Sequence, residues 1–139
     1  MSTAVNKALI RAAFEALERG NGRPFVDLLA EDVRWTIIGD TAWSGTWEGI
    51  RSVRTELLDP LFAQFATIYR AERVRLIAEG DRVVIEFRGD VTTKAGRPYR
   101  NAYCYVCRVE DGKVRELNEY CDTKLLTEAL APPEPLVTT

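Results

Sequence analysis

Apolar residues recur at helical spacing in the first part of the chain. Residues 5–19 carry apolar side chains three or four positions apart, which predicts an amphipathic helix that ends at Gly20. A shorter helix is predicted over residues 24–30, and a third over residues 50–65 with a kink at Pro60. The chain therefore begins mainly with helices.

The second half of the chain mostly alternates apolar and polar residues, which is the pattern of β-strands. Short turns that contain Gly or Asp separate the alternating runs. A last helical segment is predicted over residues 123–130, ahead of a Pro-rich segment, residues 132–139, which we expect to be a flexible tail. The predicted strands cover residues 33–38, 69–79, 82–93, 98–109 and 113–123.

Helices followed by a strand meander predict a single α+β domain over residues 1–131, with the helices on one face of the sheet. The length of 139 residues suits one domain with its own core. Apolar residues make up 46% of the chain, charged residues 29%, and the net charge is −2. This composition predicts neither nucleic acid nor a membrane as a partner.

The chain contains no histidine, which removes the usual proton shuttle, His-dependent nucleophilic triads and histidine metal sites. Its three cysteines are Cys104, Cys107 and Cys121. Cys104 and Cys107 lie three apart on a predicted strand and so point to opposite faces, which argues against a metal or redox pair. We expect buried thiols, no metal site, no cofactor and a reducing cytoplasm.

Carboxylates are the remaining candidates for chemistry. Arg88 and Asp90 lie two apart on one predicted strand and share a face, and Glu119 lies on the last predicted strand. If all three project inward, two carboxylates and a guanidinium meet in a pocket, and either carboxylate can serve as general acid or base. The alternative is that Glu86, Arg88 and Asp90 form a solvated sheet face.

The order of helices, Trp- and Gly-rich loop and long strands resembles the nuclear transport factor 2-like superfamily. Its members include SnoaL-like polyketide cyclases, ketosteroid isomerases and limonene epoxide hydrolase. The resemblance covers about residues 5–130 and rests on residues 28–33, 43–45, 80–84 and 111–122. It implies a cone-shaped, curved, mixed or antiparallel sheet with the N-terminal helices on its concave face, a cystatin-like α+β roll. It also implies a homodimer built on the outer sheet face.

Within that superfamily the site pattern is most similar to limonene epoxide hydrolase. The resemblance lies in Arg88-Gly-Asp90 and in Glu119 just before Tyr120. Trp35 and Ile37 stand where that enzyme has Tyr and Asn, which departs from its arrangement. The ketosteroid isomerase pattern fits less well, because Ala13 and Ile37 replace its tyrosine and its carboxylate base.

Several side chains are predicted to bind a substrate by wall contacts or hydrogen bonds. The tryptophans could instead pack in the core, and the tyrosines could simply fill the cone. The predicted binding residues are Trp35, Trp43, Tyr103, Tyr105, Asn101, Leu117 and Cys121.

We therefore predict a pocket protein for a small hydrophobic, oxygenated molecule. The predicted activity is cofactor-independent acid/base catalysis by Asp90, Arg88 and Glu119, as an isomerase, an aldol-type cyclase or an epoxide hydrolase. The alternative is a non-catalytic ligand-binding or dimerisation module of the same fold. A purely structural domain would have its cavity filled by side chains.

Overall fold

The fold combines short helices with one curled sheet in a computed structural model that describes residues 2–134. The helices are α1 (Thr3–Glu18), α2 (Arg23–Asp27), α3 (Ile50–Ser52), α4 (Asp59–Phe62) and α5 (Thr123–Ala129). A π-helical stretch, Val53–Leu58, joins α3 to α4. The strands are β1 (Leu29–Ile37), β2 (Gly45–Glu48), β3 (Arg70–Glu79), β4 (Arg82–Thr92), β5 (Pro98–Tyr99), β6 (Ala102–Glu110) and β7 (Lys113–Cys121).

The strands form one mixed sheet in the order β2-β1-β7-β6-β4-β3, with β5 paired to β4. The β1–β7 pair is parallel, and the other pairs are antiparallel. Register shifts in β1, β3 and β6 bend the strands. The sheet curls into a half-barrel with the N-terminal helices against it, so the predicted α+β roll is confirmed.

Helix α1 covers the concave face because its apolar side chains lie on one side. The Ser2 side chain caps its start by accepting a hydrogen bond from the Val5 amide at 3.2 Å. Phe14, which is fully buried, makes edge contacts with Phe25 of α2 and Phe87 of β4, at ring-centre distances of 5.2 and 5.0 Å. These aromatic contacts tie α1 and α2 to the sheet.

Strand alternation decides which side chains face the helices. On β4 the odd-numbered residues Val83, Ile85 and Phe87 are buried, and the even-numbered Glu86 and Arg88 lie on the outer face. The cross-strand register carries this division over to β6 and β7. The concave face is therefore built from the apolar side of each strand.

The element boundaries differ from the sequence prediction in four places. The second helix ends at Asp27, because Leu29 already pairs with Val114 of β7. The loop at 39–49 contains β2, which pairs with β1. The third helix ends at Phe62 and changes to π-helical hydrogen bonding before Pro60, rather than only kinking there. The predicted strand 98–109 is interrupted between β5 and β6.

The predicted tail, residues 132–139, falls partly outside the described residues, since 135–139 are not among them. No helix within residues 2–134 is long and apolar enough to cross a membrane.

Candidate active site

A cavity lies between α1, α2 and the concave face of the sheet. Helices α4 and α5 and the π-helical stretch contribute side chains at its other borders. Its free volume is about 80 Å³. Aromatic side chains dominate its wall, including Phe25, Trp35, Trp43, Phe87, Tyr99 and Tyr105. The cavity is therefore a largely apolar hollow rather than a filled core.

Glu119 is the carboxyl group on this wall. It projects inward from β7 because it shares its strand face with the fully buried Leu117. Its register partners are Tyr105 on β6 and Ile37 on β1, so tyrosine and isoleucine flank it on the same face. Only 6% of Glu119 is exposed, and Trp35 Nε1 donates a hydrogen bond to its Oε1 at 3.0 Å.

Burial raises the pKa of the Glu119 carboxyl to about 7. The hydrogen bonds from Trp35 and Tyr105 act in the opposite direction, but they do not offset the loss of solvation. A carboxyl with this pKa exists in both protonation states near neutral pH. It can therefore take up or release a proton during a reaction.

A cluster of hydroxyl groups lies beside this carboxyl. Tyr99 of β5 accepts two hydrogen bonds, one from Tyr103 Oη and one from Asn101 Nδ2, both at 3.0 Å. Because both lone pairs of the Tyr99 hydroxyl are engaged, its own hydrogen is left to donate to a further partner. Burial raises the pKa of Tyr99 to about 12, so the phenol keeps that hydrogen near neutral pH.

Asn101 fixes this cluster from behind. Its Nδ2 also donates to the Asp122 carbonyl at 3.1 Å, and its Oδ1 accepts from the Asp122 amide at 3.1 Å. Asp122 in turn caps α5 by accepting from the amides of Lys124 and Leu125. The amide of Asn101 thus holds the Tyr99 hydroxyl in one position relative to the end of β7.

Tyr69 enters the cavity at the start of β3, above a glycine of β4. Its ring stacks on Phe65 with a centre distance of 5.8 Å. A Cβ atom on Gly89 would lie 2.1 Å from the Tyr69 hydroxyl, so the absence of a side chain at position 89 creates the space for this ring. Tyr69 and Phe65 also line an outer groove beside Ile68, which places them between the cavity and the surface.

Four of the predicted binding residues do line the cavity: Trp35, Trp43, Tyr103 and Tyr105. Trp43 is almost fully buried, and its Nε1 donates to the Ala131 carbonyl at 2.9 Å. The other three lie elsewhere. Asn101 supports Tyr99, and Leu117 packs in the core. Cys121 pairs in register with Tyr103 but does not line the cavity.

Arg88 and Asp90 do not reach this site, and the expectation that they meet Glu119 in one pocket is wrong. Both lie on the outer face of β4, the side opposite to Phe87 and Glu119. Asp90 is about half exposed and lies 3.7 Å from the Arg100 guanidinium. The apolar side of β4 faces the enclosed hollow, because charged side chains lose more solvation there than apolar ones.

Two tyrosines of the cavity wall, Tyr69 and Tyr99, are not among the site residues that the sequence predicts. The signal for Tyr99 was its position two residues before Asn101, on the same side of an extended segment. Tyr69 was placed at the end of a strand with nothing to orient it, although the small residue at position 89 indicates a close contact there.

The arrangement offers one carboxyl that can exchange a proton and a nearby phenol that can donate a hydrogen bond. Within residues 2–134, no group of three or more acidic or thiol side chains has the geometry to hold a metal ion. Cys104, Cys107 and Cys121 are free thiols, and burial raises the pKa of all three. The chemistry that this geometry supports is proton transfer to and from a bound molecule.

Comparison with family models shows to which protein family the chain belongs. The model of the SnoaL-like domain matches residues 10–117. The chain belongs to the SnoaL-like family. This confirms the resemblance to the nuclear transport factor 2-like superfamily. The nearer resemblance to limonene epoxide hydrolase stays a prediction, and the outward position of Arg88 and Asp90 speaks against it. A search of curated proteins found no match.

Solved structures share the fold of this SnoaL-like chain over nearly its whole length. A nuclear transport factor 2-like protein from Burkholderia xenovorans LB400 is 26% identical with a TM-score of 0.74, covering 94% of this chain and 99% of the other. TerC, co-crystallised with polyporic acid, is 23% identical with a TM-score of 0.73, covering 89% and 96%. A candidate polyketide cyclase from Xanthomonas campestris pv. campestris is 18% identical with a TM-score of 0.72, covering 93% and 98%. At such identities the last two show the fold alone.

Proposed function

We propose that this SnoaL-like protein is a cofactor-independent acid/base enzyme that moves a proton on a small hydrophobic carbonyl compound. The observation that carries the proposal is Glu119, a buried carboxyl with a pKa of about 7 beside a cluster of phenol hydroxyls. The similarity in fold to a candidate polyketide cyclase is consistent with it. The reaction classes that fit are isomerisation and aldol-type cyclisation.

Glu119 is the base in this proposal. Its carboxylate takes a proton from the carbon next to the substrate carbonyl, and the C–H electron pair moves into an enolate whose oxygen becomes negative. In isomerisation, Glu119 returns the proton to a different carbon. In cyclisation, the enolate carbon forms a bond to a second carbonyl carbon of the same molecule, and the proton goes to the oxygen of that carbonyl.

Tyr99 stabilises the enolate oxygen in this scheme, because none of residues 2–134 accepts its hydrogen. The hydrogen bonds that it accepts from Tyr103 and Asn101 polarise the phenol and strengthen it as a donor. On β6, Tyr103 lies two residues from Tyr105, the register partner of Glu119, a separation of roughly 7 Å along the strand. Tyr99 and Glu119 line the same cavity, so one small ligand can contact both the phenol hydroxyl and the carboxyl.

The cavity size limits the substrate. Its free volume of about 80 Å³ is about half of the roughly 150 Å³ that accommodates one benzene ring in an apolar cavity. A ligand with one or two rings therefore enters only when the walls of the cavity move apart. Trp35, Trp43, Tyr103 and Tyr105 would contact it.

The direct test is proton exchange on a bicyclic ketone. β-Tetralone in D₂O should lose its α-hydrogens to solvent faster with the protein than without it, as followed by proton NMR. Glu119→Gln keeps the shape of the side chain and should reduce the catalysed rate by about 10²- to 10⁴-fold. Glu86→Gln, on the exposed outer face of β4, is the matched control and should leave the rate unchanged.

Two results would contradict the acid/base proposal. One is a wild-type rate no higher than that of Glu119→Gln across a series of bicyclic ketones. The other is a catalysed rate that does not rise as the pH increases through about 7, where the Glu119 carboxyl ionises.

The second candidate is a non-catalytic ligand-binding module, and the Trp35–Glu119 hydrogen bond favours it. Because the Trp35 indole already hydrogen-bonds the Glu119 carboxyl, that carboxyl can bind a polar group of a ligand in an apolar cavity without transferring a proton. This candidate predicts that ligand affinity persists in Glu119→Gln and that neither protein catalyses exchange. A purely structural dimerisation domain is less well supported, because side chains leave the cavity open. The expected location in a reducing cytoplasm also stays a prediction.

A further inference from the structure

The wall of the cavity has an unusual charge balance. Among residues 2–134, its lining contains one side chain that carries charge near neutral pH, Glu119, and no lysine or arginine. The rest of the lining is aliphatic or aromatic, apart from Gly22. An anionic ligand would thus enter without a positive partner and would face a carboxylate.

Basic side chains do lie near the cavity, but outside it. Arg23 lines two surface grooves that share Val26 and Phe62 with the cavity, and Arg54 lines one of them. Arg23 is highly exposed and lies 4.0 Å from Asp27. Exposed, solvated arginines can attract an anion to the surface, but they cannot compensate its charge inside the hollow.

The titratable groups that act on Glu119 from the surrounding elements all remain neutral across the physiological range. They are the hydroxyls of Tyr69, Tyr99, Tyr103 and Tyr105 and the thiol of Cys121, and burial raises the pKa of each of them. Helices α1, α2 and α5 contribute only Leu17, Phe25, Val26 and Leu126 to the lining. Between pH 5.5 and 8.5, Glu119 is therefore the only group of the described cavity lining, within residues 2–134, whose charge changes.

Two aromatic side chains, Trp35 and Tyr105, hydrogen-bond this carboxyl, and further rings pack against them. Trp35 and Tyr105 lie edge to face with a centre distance of 5.7 Å, and Phe25 and Phe87 lie 6.2 and 4.9 Å from Tyr105. A cation in the hollow would be attracted by the ionised Glu119 carboxyl, whereas an anion would be repelled by it.

We propose that the cavity selects its ligand by charge: it binds hydrophobic amines in their protonated form more tightly than neutral molecules of the same shape, and it excludes organic anions. The inference rests on the proposed role of this cavity as the ligand site and extends it to a class of ligand, a small bicyclic molecule with an amine or no charge. A carboxylate or phosphate ester is ruled out as substrate.

The test is a series of three ligands with one skeleton and three charges. Their affinities for the wild-type protein are measured by calorimetry at pH 5.5 and 8.5: β-tetralone, the corresponding aminotetralin, and tetralin carboxylate. At pH 8.5 the ammonium should bind about tenfold more tightly than the ketone, and the carboxylate at least about tenfold more weakly. At pH 5.5, where Glu119 is protonated, the preference for the ammonium should disappear.

Glu119→Gln should show the pH 5.5 pattern at both pH values, and Glu86→Gln should behave as wild type. The wild-type comparison across pH does not depend on the folding of any variant. The proposal is overturned if the carboxylate binds as tightly as the ketone at pH 8.5. It is also overturned if the ammonium preference is independent of pH or persists in Glu119→Gln, or if none of the three ligands binds.

This outcome is separate from that of the acid/base proposal. Charge selection without exchange of the β-tetralone hydrogens supports the ligand class and contradicts the enzyme. Exchange that depends on Glu119, combined with equal affinity for the three ligands, supports the enzyme and contradicts charge selection.

Discussion

Ionisation of the Glu119 carboxyl inside the cavity changes the stability of the fold. Its pKa is about 7 in the folded protein, whereas an exposed glutamate has the ordinary value of 4.5. Between these values the folded state binds the proton and the unfolded chain does not. The contribution of protonated Glu119 to the stability of the fold is therefore complete below about pH 4.5. This contribution is lost as the pH rises through about 7.

We predict that the free energy of unfolding falls between pH 5 and pH 8 by an amount that Glu119→Gln removes. A shift from 4.5 to about 7 corresponds to a loss on the order of 3 kcal/mol. Urea unfolding at several pH values measures it, and the informative quantity is the difference between wild type and variant. A wild-type curve parallel to that of Glu119→Gln over this range would show that the carboxyl is not desolvated.

At the same scale, the sequence indicated Glu119 correctly as an inward-facing side chain but placed Arg88 and Asp90 wrongly. Alternation shows which residues share a face, as it did for Arg88 and Asp90. Which face points inward is set by the free energy of desolvation. Burying Val83, Ile85 and Phe87 is favourable, whereas burying the charged groups on the other side of β4 is not. The hydrogen bonds to Tyr99 depend on contacts between β5, β6 and the start of α5, which no local pattern contains.

At the scale of the element, the contact between β4 and the start of β3 shapes one end of the cavity. Gly89 faces inward on β4, and the Tyr69 ring lies directly over it. Just beyond this contact, the register of β3 against β4 shifts between Glu72 and Arg75, where Arg73 has a φ of 54°. Sequence periodicity predicted both strands, but a shift of register produces no signal in the alternation.

We predict that Gly89→Ala displaces Tyr69 and destabilises the protein by about 1–3 kcal/mol, because the added methyl group overlaps the phenol. Thermal unfolding measures the loss. Tyr69→Ala alone should cost stability through lost packing, and the double variant should lose less than the sum of the two single variants. Strict additivity would contradict the close contact.

The helical segment between β2 and β3 also departs from a simple pattern. Its apolar spacing predicted one helix with a kink, whereas residues Val53–Leu58 adopt π-helical hydrogen bonding just before Pro60. Leu57 and Leu58 of this segment line the cavity. The π-helical stretch therefore contributes directly to the cavity wall, and its extra residue per turn is not visible in a short run of apolar positions.

At the scale of the whole molecule, the outer face of the sheet has a band of uncharged side chains next to a row of alternating charges. The band runs through Thr36, Asn118, Val106, Val84 and Ile77 by cross-strand register. The charged row runs through Glu48, Arg34, Glu116, Arg108, Arg82 and Glu79. Because both signs occur along the row, a second copy of the chain related by a twofold axis can place opposite charges together.

We therefore expect a homodimer on this face, as the family resemblance implies. Sedimentation equilibrium should give twice the chain mass of 15.7 kDa. Val84→Arg places a charge in the middle of the band and should yield monomers, whereas Arg11→Glu on the exposed side of α1 should not. A monomeric wild type at micromolar concentration, or a dimer unaffected by Val84→Arg, would contradict this interface.

The α+β architecture could be predicted because long alternating runs and amphipathic helices carry strong local signals. The cavity itself could not, since its volume depends on how far α1, α2 and the π-helical stretch stand from the sheet. Its single charged group was visible only as one acidic residue, Glu119, between Leu117 and Cys121 on an otherwise apolar strand face.

The most direct test of the account is a measurement of the Glu119 pKa by carbon-13 NMR. The side-chain carboxyl carbons of glutamate are labelled, the spectrum is followed from pH 3 to 9, and the Glu119 signal is assigned by its absence in Glu119→Gln. We expect the Glu119 carboxyl to titrate at about 7. A Glu119 signal that titrates near the ordinary value of 4.5 would contradict this expectation.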